Sequence, residues 1–221
     1  MSNWRVYIDG EDLDLRTFEQ VHNGGQFEVA RDAGGPYVTG AAINACDTAN
    51  AAYQLVKAEL PVLNGVAWAA VGDYHPVRAA GRVDGEGVPP TAFAEAHLTG
   101  RGVLTVGGPN AAAVLALQSA AARDSSISEG LRILGEDEHN WFNLYKVFEL
   151  LRAAAGGRQG LEALGVEGVA QSSFTAGANR VDVSGRQARH AIDASPVPPK
   201  RAMTLEEGQH FIRQLLSAVV Q

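Results

Sequence analysis

"RGVLTVGGPNAAAVLALQSAAARD", residues 101–124, is where the chain changes character. "RGVLTV" is short, β-branched and apolar, and reads as a strand. Gly107, Gly108, Pro109 and Asn110 then form a turn signal, since glycine and proline punctuate regular structure. The following alanine-rich run has no breaker and high helix propensity. Strand-like segments lie before this point and helical ones after it. The expected fold class is therefore α+β: a strand-rich N-terminal part with two helices, residues 1–107, followed by an all-helical part, residues 108–221.

Upstream, "WRVYIDGEDLDL" opens with alternation, Trp4, Val6 and Ile8 on one face and Arg5, Tyr7 and Asp9 on the other, closed by an Asp-Gly turn. "LRTFEQVH" predicts a short helix stopped by Asn23, Gly24 and Gly25. "QFEVAR" and "GPYVTGAAINA" read as strands, and "DTANAAYQLVKAEL" as a helix capped by Asp47 or Thr48 and bent or ended near Pro61. "LNGVAWAAV" and "HPVRAAGRV" read as further strands, with "GRVDGEGVPP" as a hairpin tip or surface loop. Downstream, "SSISEGLRILG" carries Ser126 and Glu129 at capping-box spacing. "NWFNLYKVFELLRAAAGG" has the stripe Trp141, Leu144, Tyr145, Phe148 and Leu151. "RQGLEALG" reads as a short helix and the next stretch as loop. "TLEEGQHFIRQLLSAVV" ends the chain with a Thr204–Glu207 capping box and an apolar face of Leu205, Phe211, Ile212, Leu215, Leu216 and Val219.

The 221 residues have 46% hydrophobic and 19% charged content, a globular balance long enough for a core without disulfides or metal. The single cysteine, Cys46, has no internal partner, which fits a reducing compartment. No apolar leader region and no run of about 18 apolar residues is visible, so the chain is read as soluble and cytoplasmic, with no membrane partner. A net charge of −7 argues against general polyanion binding. The basic residues are uneven, however: Arg180, Arg186, Arg189, Lys200, Arg201 and Arg213 all fall in the last 42 residues.

"NRVDVSGRQARHA", residues 179–191, concentrates that asymmetry. Histidine exchanges protons near neutral pH, and arginine holds phosphate bidentately. With Ser184 as N-cap, a helix after Gly185 would put Arg186 and His190 on one face and an anion-favouring N-terminus beside them. The candidate catalytic residues are His190, as general acid and base, and Arg186, as phosphate clamp. Asn179, Arg180 and Arg189 are the candidate substrate-binding residues. The competing reading is structural: these groups cap helix carbonyls or bridge to Glu138, Glu149 or Glu206.

"NLYKVFELL", "ANR…SG…ARHA" and "PPKRAMTLEEGQHFIRQLL" together resemble a widespread set of uncharacterised bacterial proteins, and their layout resembles the HEPN helical superfamily. The likeness spans roughly residues 139 to 220. It implies a metal-independent ribonuclease site built from an Arg and a His near the start of a late helix, in a homodimer. Three residues separate Arg186 from His190, a shorter spacing than is usual there.

Other clusters read as structural. Glu136, Asp137, Glu138 and His139 precede a helix whose dipole favours acids, with Asn140 as N-cap. No second His or Cys cluster accompanies them, so no metal or other cofactor is expected. Asp73 and His75 in "GDYHP" sit in a turn, and Cys46 reads as a small core residue. The strand–"GGPN"–helix order lacks a phosphate-loop spacing. Four aromatics, Trp141, Phe142, Tyr145 and Phe148, lie within eight residues and offer either core or a dimer contact. The expected function is an RNA- or nucleotide-interacting protein, a HEPN-like ribonuclease in its sharper form. The alternative is a non-catalytic interaction or assembly module whose strand-rich half meets a protein partner, or an acidic partner for a basic protein.

Overall fold

The computed structural model describes residues 3–24, 26–93, 110–136, 138–185, 188 and 201–221. It forms two compact units, Met1–Ala111 and Ala112–Gln221. The class is α+β: an antiparallel sheet occupies the first unit, and the described part of the second is helical.

The sheet contains β1 (Arg5–Asp9), β2 (Glu28–Asp32), β3 (Gly35–Thr39), β4 (Arg78–Gly85) and β5 (Val88–Ala92), in the order β2-β3-β1-β4-β5. Its register makes one face apolar. Val29 pairs with Val38, Val38 with Val6, and Val6 with Val83, so four valines cross four strands in a row. All four are buried. Helices α1 (Asp12–Val21) and α3 (Ala49–Val71) pack on each other, and α3 packs against β1 and β4. Residues read as "GRVDGEGVPP" form the β4–β5 hairpin.

Two strand expectations fail here. "LNGVAWAAV" is the second half of α3, which runs 23 residues through Pro61. A short apolar run carries no period that separates helix from strand. Leu60, Leu63, Val66, Ala67 and Trp68 are all buried, and tertiary burial outweighs the one backbone hydrogen bond that Pro61 removes. Thr48, not Asp47, caps this helix by accepting from the Ala51 N–H. "GAAINA" is the short helix α2 (Ala41–Asn44) rather than a continuation of β3. Gly40 turns the chain with φ +136°, and a Cβ there would stand 2.4 Å from the Gln26 carbonyl oxygen. Trp4 then holds α2 to β1. Its N–H donates to Asn44 Oδ1 and its indole N–H to the Cys46 carbonyl, both at 2.8 Å.

His22 closes α1 and is fully buried. An imidazole N–H at Nε2 donates to the Leu63 carbonyl at 3.0 Å, and burial pushes the pKa down from 6.5 to about 4. Its folded value lies below its unfolded one. The stabilisation is therefore complete above pH 6.5 and is lost as pH falls toward 4, because the unfolded chain takes up a proton the folded chain refuses. Between pH 7 and 4.5, His22→Gln is expected to lose about 2–3 kcal/mol less stability than the parent, measured by urea unfolding at both pH values. Equal losses in the two proteins would show that His22 does not set the acid response.

The second unit comprises α4 (Ala111–Arg123), α5 (Ser125–Glu136), α6 (Trp141–Ala154), α7 (Arg158–Ala163), α8 (Gly168–Asn179), α9 (Val181–Ser184) and α10 (Leu205–Val219). The α6 stripe is buried as expected at Trp141, Leu144, Phe148 and Leu151, and Asn140 caps it through the Asn143 N–H. The Thr204–Glu207 capping box forms on α10. At α5 the cap is Asp124, which accepts from the Ser126 and Ile127 N–H groups, so the Ser126–Glu129 pairing is corrected. Asp124 precedes the helix, and its carboxylate is the stronger acceptor.

Helix α8 occupies a stretch read as loop. Gly168, Ser172, Ser173, Thr175 and Gly177 are weak helix formers. Packing supplies what propensity lacks. Phe174 and Ala178 are fully buried, and the Ser172 and Thr175 hydroxyls donate to the carbonyls four residues back. Trp141 lies against two glycines. A Cβ at Gly177 would stand 2.6 Å from its ring, and one at Gly208 would stand 2.7 Å away. Both residues are glycine because the indole fills the space a methyl group would need.

Candidate functional site

Arg186, Arg189 and His190 lie outside the described residues. Asn179 ends α8, and Arg180 is at once its C-cap and the N-cap of α9. Asn179 Oδ1 is buried and accepts no hydrogen bond among the described residues. A buried acceptor left unpaired costs about 1–3 kcal/mol. Ser184 was expected to cap a following helix. Ser184 closes α9, its hydroxyl facing the carbonyls of Gly177 and Arg180, the latter at 3.0 Å, and the helix expected after Gly185 lies outside the described residues. Gly185 follows with φ +57°, which ends the short helix.

On the N-terminal half of α8, a groove of about 850 Å³ opens toward α10. Ala170, Met203 and Phe211 line its apolar part, with Ser173 beside them and Val169 at its edge, 75% exposed. Arg201, His210 and Arg213 bring basic groups to it, and Glu167, Glu206 and Glu207 bring acidic ones. Arg201 is ion-paired with Glu207, whose carboxyl is held below the usual range by the Thr204 N–H and by Arg201. Arg213 is half-buried, and loss of solvent lowers its affinity for its proton. The groove combines apolar contact with guanidinium donors at a size suited to a small polar ligand. Its basic residues were visible in the sequence, but their convergence depends on Phe174 and Phe211 pressing α8 and α10 together, with ring centroids 5.1 Å apart.

The acidic stretch before α6 has structural work. His139 Nε2 bonds the Leu134 carbonyl at 2.8 Å, satisfying a C-terminal group of α5, and Asn143 donates to the Glu138 carbonyl. Asp137 lies outside the described residues.

Two polar constellations in the sheet unit escaped the sequence reading. On the polar face of the sheet, the Tyr7 hydroxyl lies 2.9 Å from Asp32 Oδ2 and 3.2 Å from Asp84 Oδ2. Arg5 pairs with Asp32, Arg82 pairs with Asp84, and the Arg82 guanidinium sits 4.3 Å above the Tyr7 ring. Burial and the two carboxylates push the Tyr7 hydroxyl up to about 12, so it stays protonated. Two arginines against two aspartates leave this network neutral and internally paired.

The second joins Asp14 on α1 to His75 in the segment before β4. Asp14 is buried, and the His75 N–H donates to its Oδ1 at 3.1 Å while His75 Nδ1 lies 3.3 Å from Oδ2. Loss of solvent raises the Asp14 carboxyl above its ordinary range, against the opposing pull of His75. Glu11, at the N-cap of α1, completes a group of three donors within 4.8 Å of one another. The turn assigned to "GDYHP" holds its residues apart: Asp73 is exposed, Tyr74 donates to Asn64, and His75 pairs with Asp14, 61 positions away. One signal was available. Asp14, Phe18 and Val21 share the buried face of α1, so an acid stands where the helical period asks for an apolar residue. Set against known proteins, the chain matches no family model, no curated protein and no solved structure.

Proposed function

We propose that the chain interacts with RNA or a nucleotide through its helical unit, and that the segment carrying Arg186 and His190 acts there as a metal-independent ribonuclease site of HEPN type. The observation that carries this reading is the α8–α10 groove, which sets His210 and Arg213 beside the apolar surface of Met203 and Phe211, with Arg201 held by Glu207 and with Glu167 and Glu206 on the same lining. Guanidinium groups serve phosphate, and an apolar wall serves a base. Asn179 adds a buried acceptor without a partner among the described residues, at the other end of the same helix. His190 takes the proton from the ribose 2′-hydroxyl as its oxygen attacks the phosphorus, and returns a proton to the 5′ oxygen that leaves as the P–O5′ bond breaks, giving a 2′,3′-cyclic phosphate. Arg186 holds the scissile phosphate, with Asn179, Arg180 and Arg189 placing the strand. A homodimer in the reducing cytoplasm is part of this proposal.

A non-catalytic interaction module is the second reading. It is favoured by apolar side chains exposed in the helical unit: Phe142 at 53%, Leu164 at 45% and Val169 at 75%. No described helix is long and apolar enough to cross a membrane.

The deciding experiment incubates labelled single-stranded RNA with the parent and with the Arg186→Ala/His190→Ala variant in EDTA, scoring cleavage on gels and binding by fluorescence polarisation. Cleavage by the parent alone is the expected result. Arg213→Ala is expected to weaken binding about tenfold, and added salt to weaken the parent further. A parent that neither binds nor cleaves RNA sinks the proposal and leaves the interaction module. Equal cleavage by parent and folded variant sinks the assignment of those two residues.

A further inference from the structure

We propose that Glu11, Asp14 and His75 form a binding site for a divalent first-row transition cation, best matched to Zn²⁺, at the N-terminal end of α1. The donors come from two elements far apart in sequence and converge within 4.8 Å of one another. One pair already has the right separation. Two donors bound at zinc distances in a tetrahedral arrangement stand about 3.3 Å apart, and His75 Nδ1 is 3.3 Å from Asp14 Oδ2. The His75 N–H, by engaging Oδ1, leaves Oδ2 as the atom turned to the imidazole. Glu11, at the N-cap of α1, brings the third donor within 4.8 Å of the other two.

Electrostatics favours a cation here. Asp14 is 5% exposed, and the charged side chains acting on it are His75 and Glu11. The first helps only when protonated, and the second repels. A buried carboxylate beside a second carboxylate is costly, and a doubly charged ion offsets both. One imidazole with two carboxylates suits zinc and its neighbours better than magnesium, which prefers oxygen ligands and retained water. Three protein donors leave a coordination position unfilled, and His75, with its side chain 47% exposed, puts solvent at it. The site is therefore of the open kind that takes a water or a substrate atom.

Calorimetric titration of the full chain with ZnCl₂, and separately with MgCl₂, tests this. The expected result is one equivalent of Zn²⁺ per chain, with Mg²⁺ at least about tenfold weaker. His75→Ala and Glu11→Gln change side chains outside the core and should each weaken Zn²⁺ binding by at least about tenfold. Their circular dichroism should match the parent's. Asp73→Asn, which removes an exposed carboxylate two residues from His75, should leave the affinity unchanged. No Zn²⁺ binding by the parent overturns the site. So does binding that survives both variants, or that Asp73→Asn abolishes. The ribonuclease assay runs in EDTA on the other unit, so either proposal can fail without the other.

Discussion

Phe174→Ala is expected to destabilise the helical unit by about 3–5 kcal/mol, the range for removing a large aromatic from a well-packed core. Phe174 is fully buried on α8. Its ring centroid lies 5.5 Å from Trp141, 5.1 Å from Phe148 and 5.1 Å from Phe211, so one side chain joins α6, α8 and α10. Such ring pairs contribute beyond their buried area, by about 0.5–1.5 kcal/mol each. The void cannot close by drawing the helices inward. Trp141 already touches the space a Cβ would occupy at Gly177 and Gly208. Collapse is therefore limited, and the cost sits at the upper end of the range. Guanidinium unfolding followed by near-ultraviolet circular dichroism would measure it, and a loss under about 1 kcal/mol would show that α8 docks by other contacts. Because α8 forms one wall of the groove, the same variant should also weaken any RNA binding, whereas a surface change such as Glu149→Gln should not.

Asn64→Leu is expected to cost the sheet unit about 3–5 kcal/mol despite nearly equal side-chain size. Asn64 is buried within α3 and satisfies three groups. Its Nδ2 donates to the Val77 carbonyl at 2.9 Å, and its Oδ1 accepts from the Val77 N–H at 3.0 Å and the Tyr74 hydroxyl at 2.7 Å. Leucine leaves all three buried without partners, each at a cost of about 1–3 kcal/mol. The amide thus acts in place of a strand partner for the chain approaching β4. A double-mutant cycle separates this from simple packing. Tyr74→Phe should cost about 1 kcal/mol in the parent and little in Asn64→Leu, where the hydroxyl has no acceptor to lose. Additive losses would show that the two groups do not depend on each other. The segment they hold also carries His75, so Asn64→Leu should weaken Zn²⁺ binding as well.

The α+β class was legible from the strand periods before residue 94 and the helical periods after residue 110, because strand and helix leave different periods in a chain whose one face is buried; the strand and turn read at residues 101–109 lie outside the described residues. The α6 stripe, the Thr204–Glu207 box, the Asn140 cap and the existence of the first strand were legible for the same reason: each is a local rule with a short reach. The α3 cap was narrowed only to Asp47 or Thr48, and the first strand buries Tyr7 as well as Val6 and Ile8, so its two faces do not alternate in burial. What failed were segments whose local preference is weak or opposed. Gly168–Asn179 is a poor helix by composition and becomes one because Phe174 and Ala178 find a buried surface. Residues 63–71 could have been strand or helix by pattern, and burial on α3 decided it.

The candidate sites divide the same way. Charge asymmetry near the C-terminus could be counted from the sequence, and so could the Arg and His types suited to phosphate chemistry. Bringing Arg201, His210 and Arg213 to one groove, or Asp14 to His75 across 61 positions, could not. Sequence by itself determined charge, the strongest periods and most of the caps, since these depend on neighbours within a few residues; the α5 cap, taken by Asp124 rather than Ser126, was missed. Tertiary structure alone decided which polar groups meet, because such convergence is set by how helices and strands pack, and packing is a sum of contacts between residues that no local pattern relates.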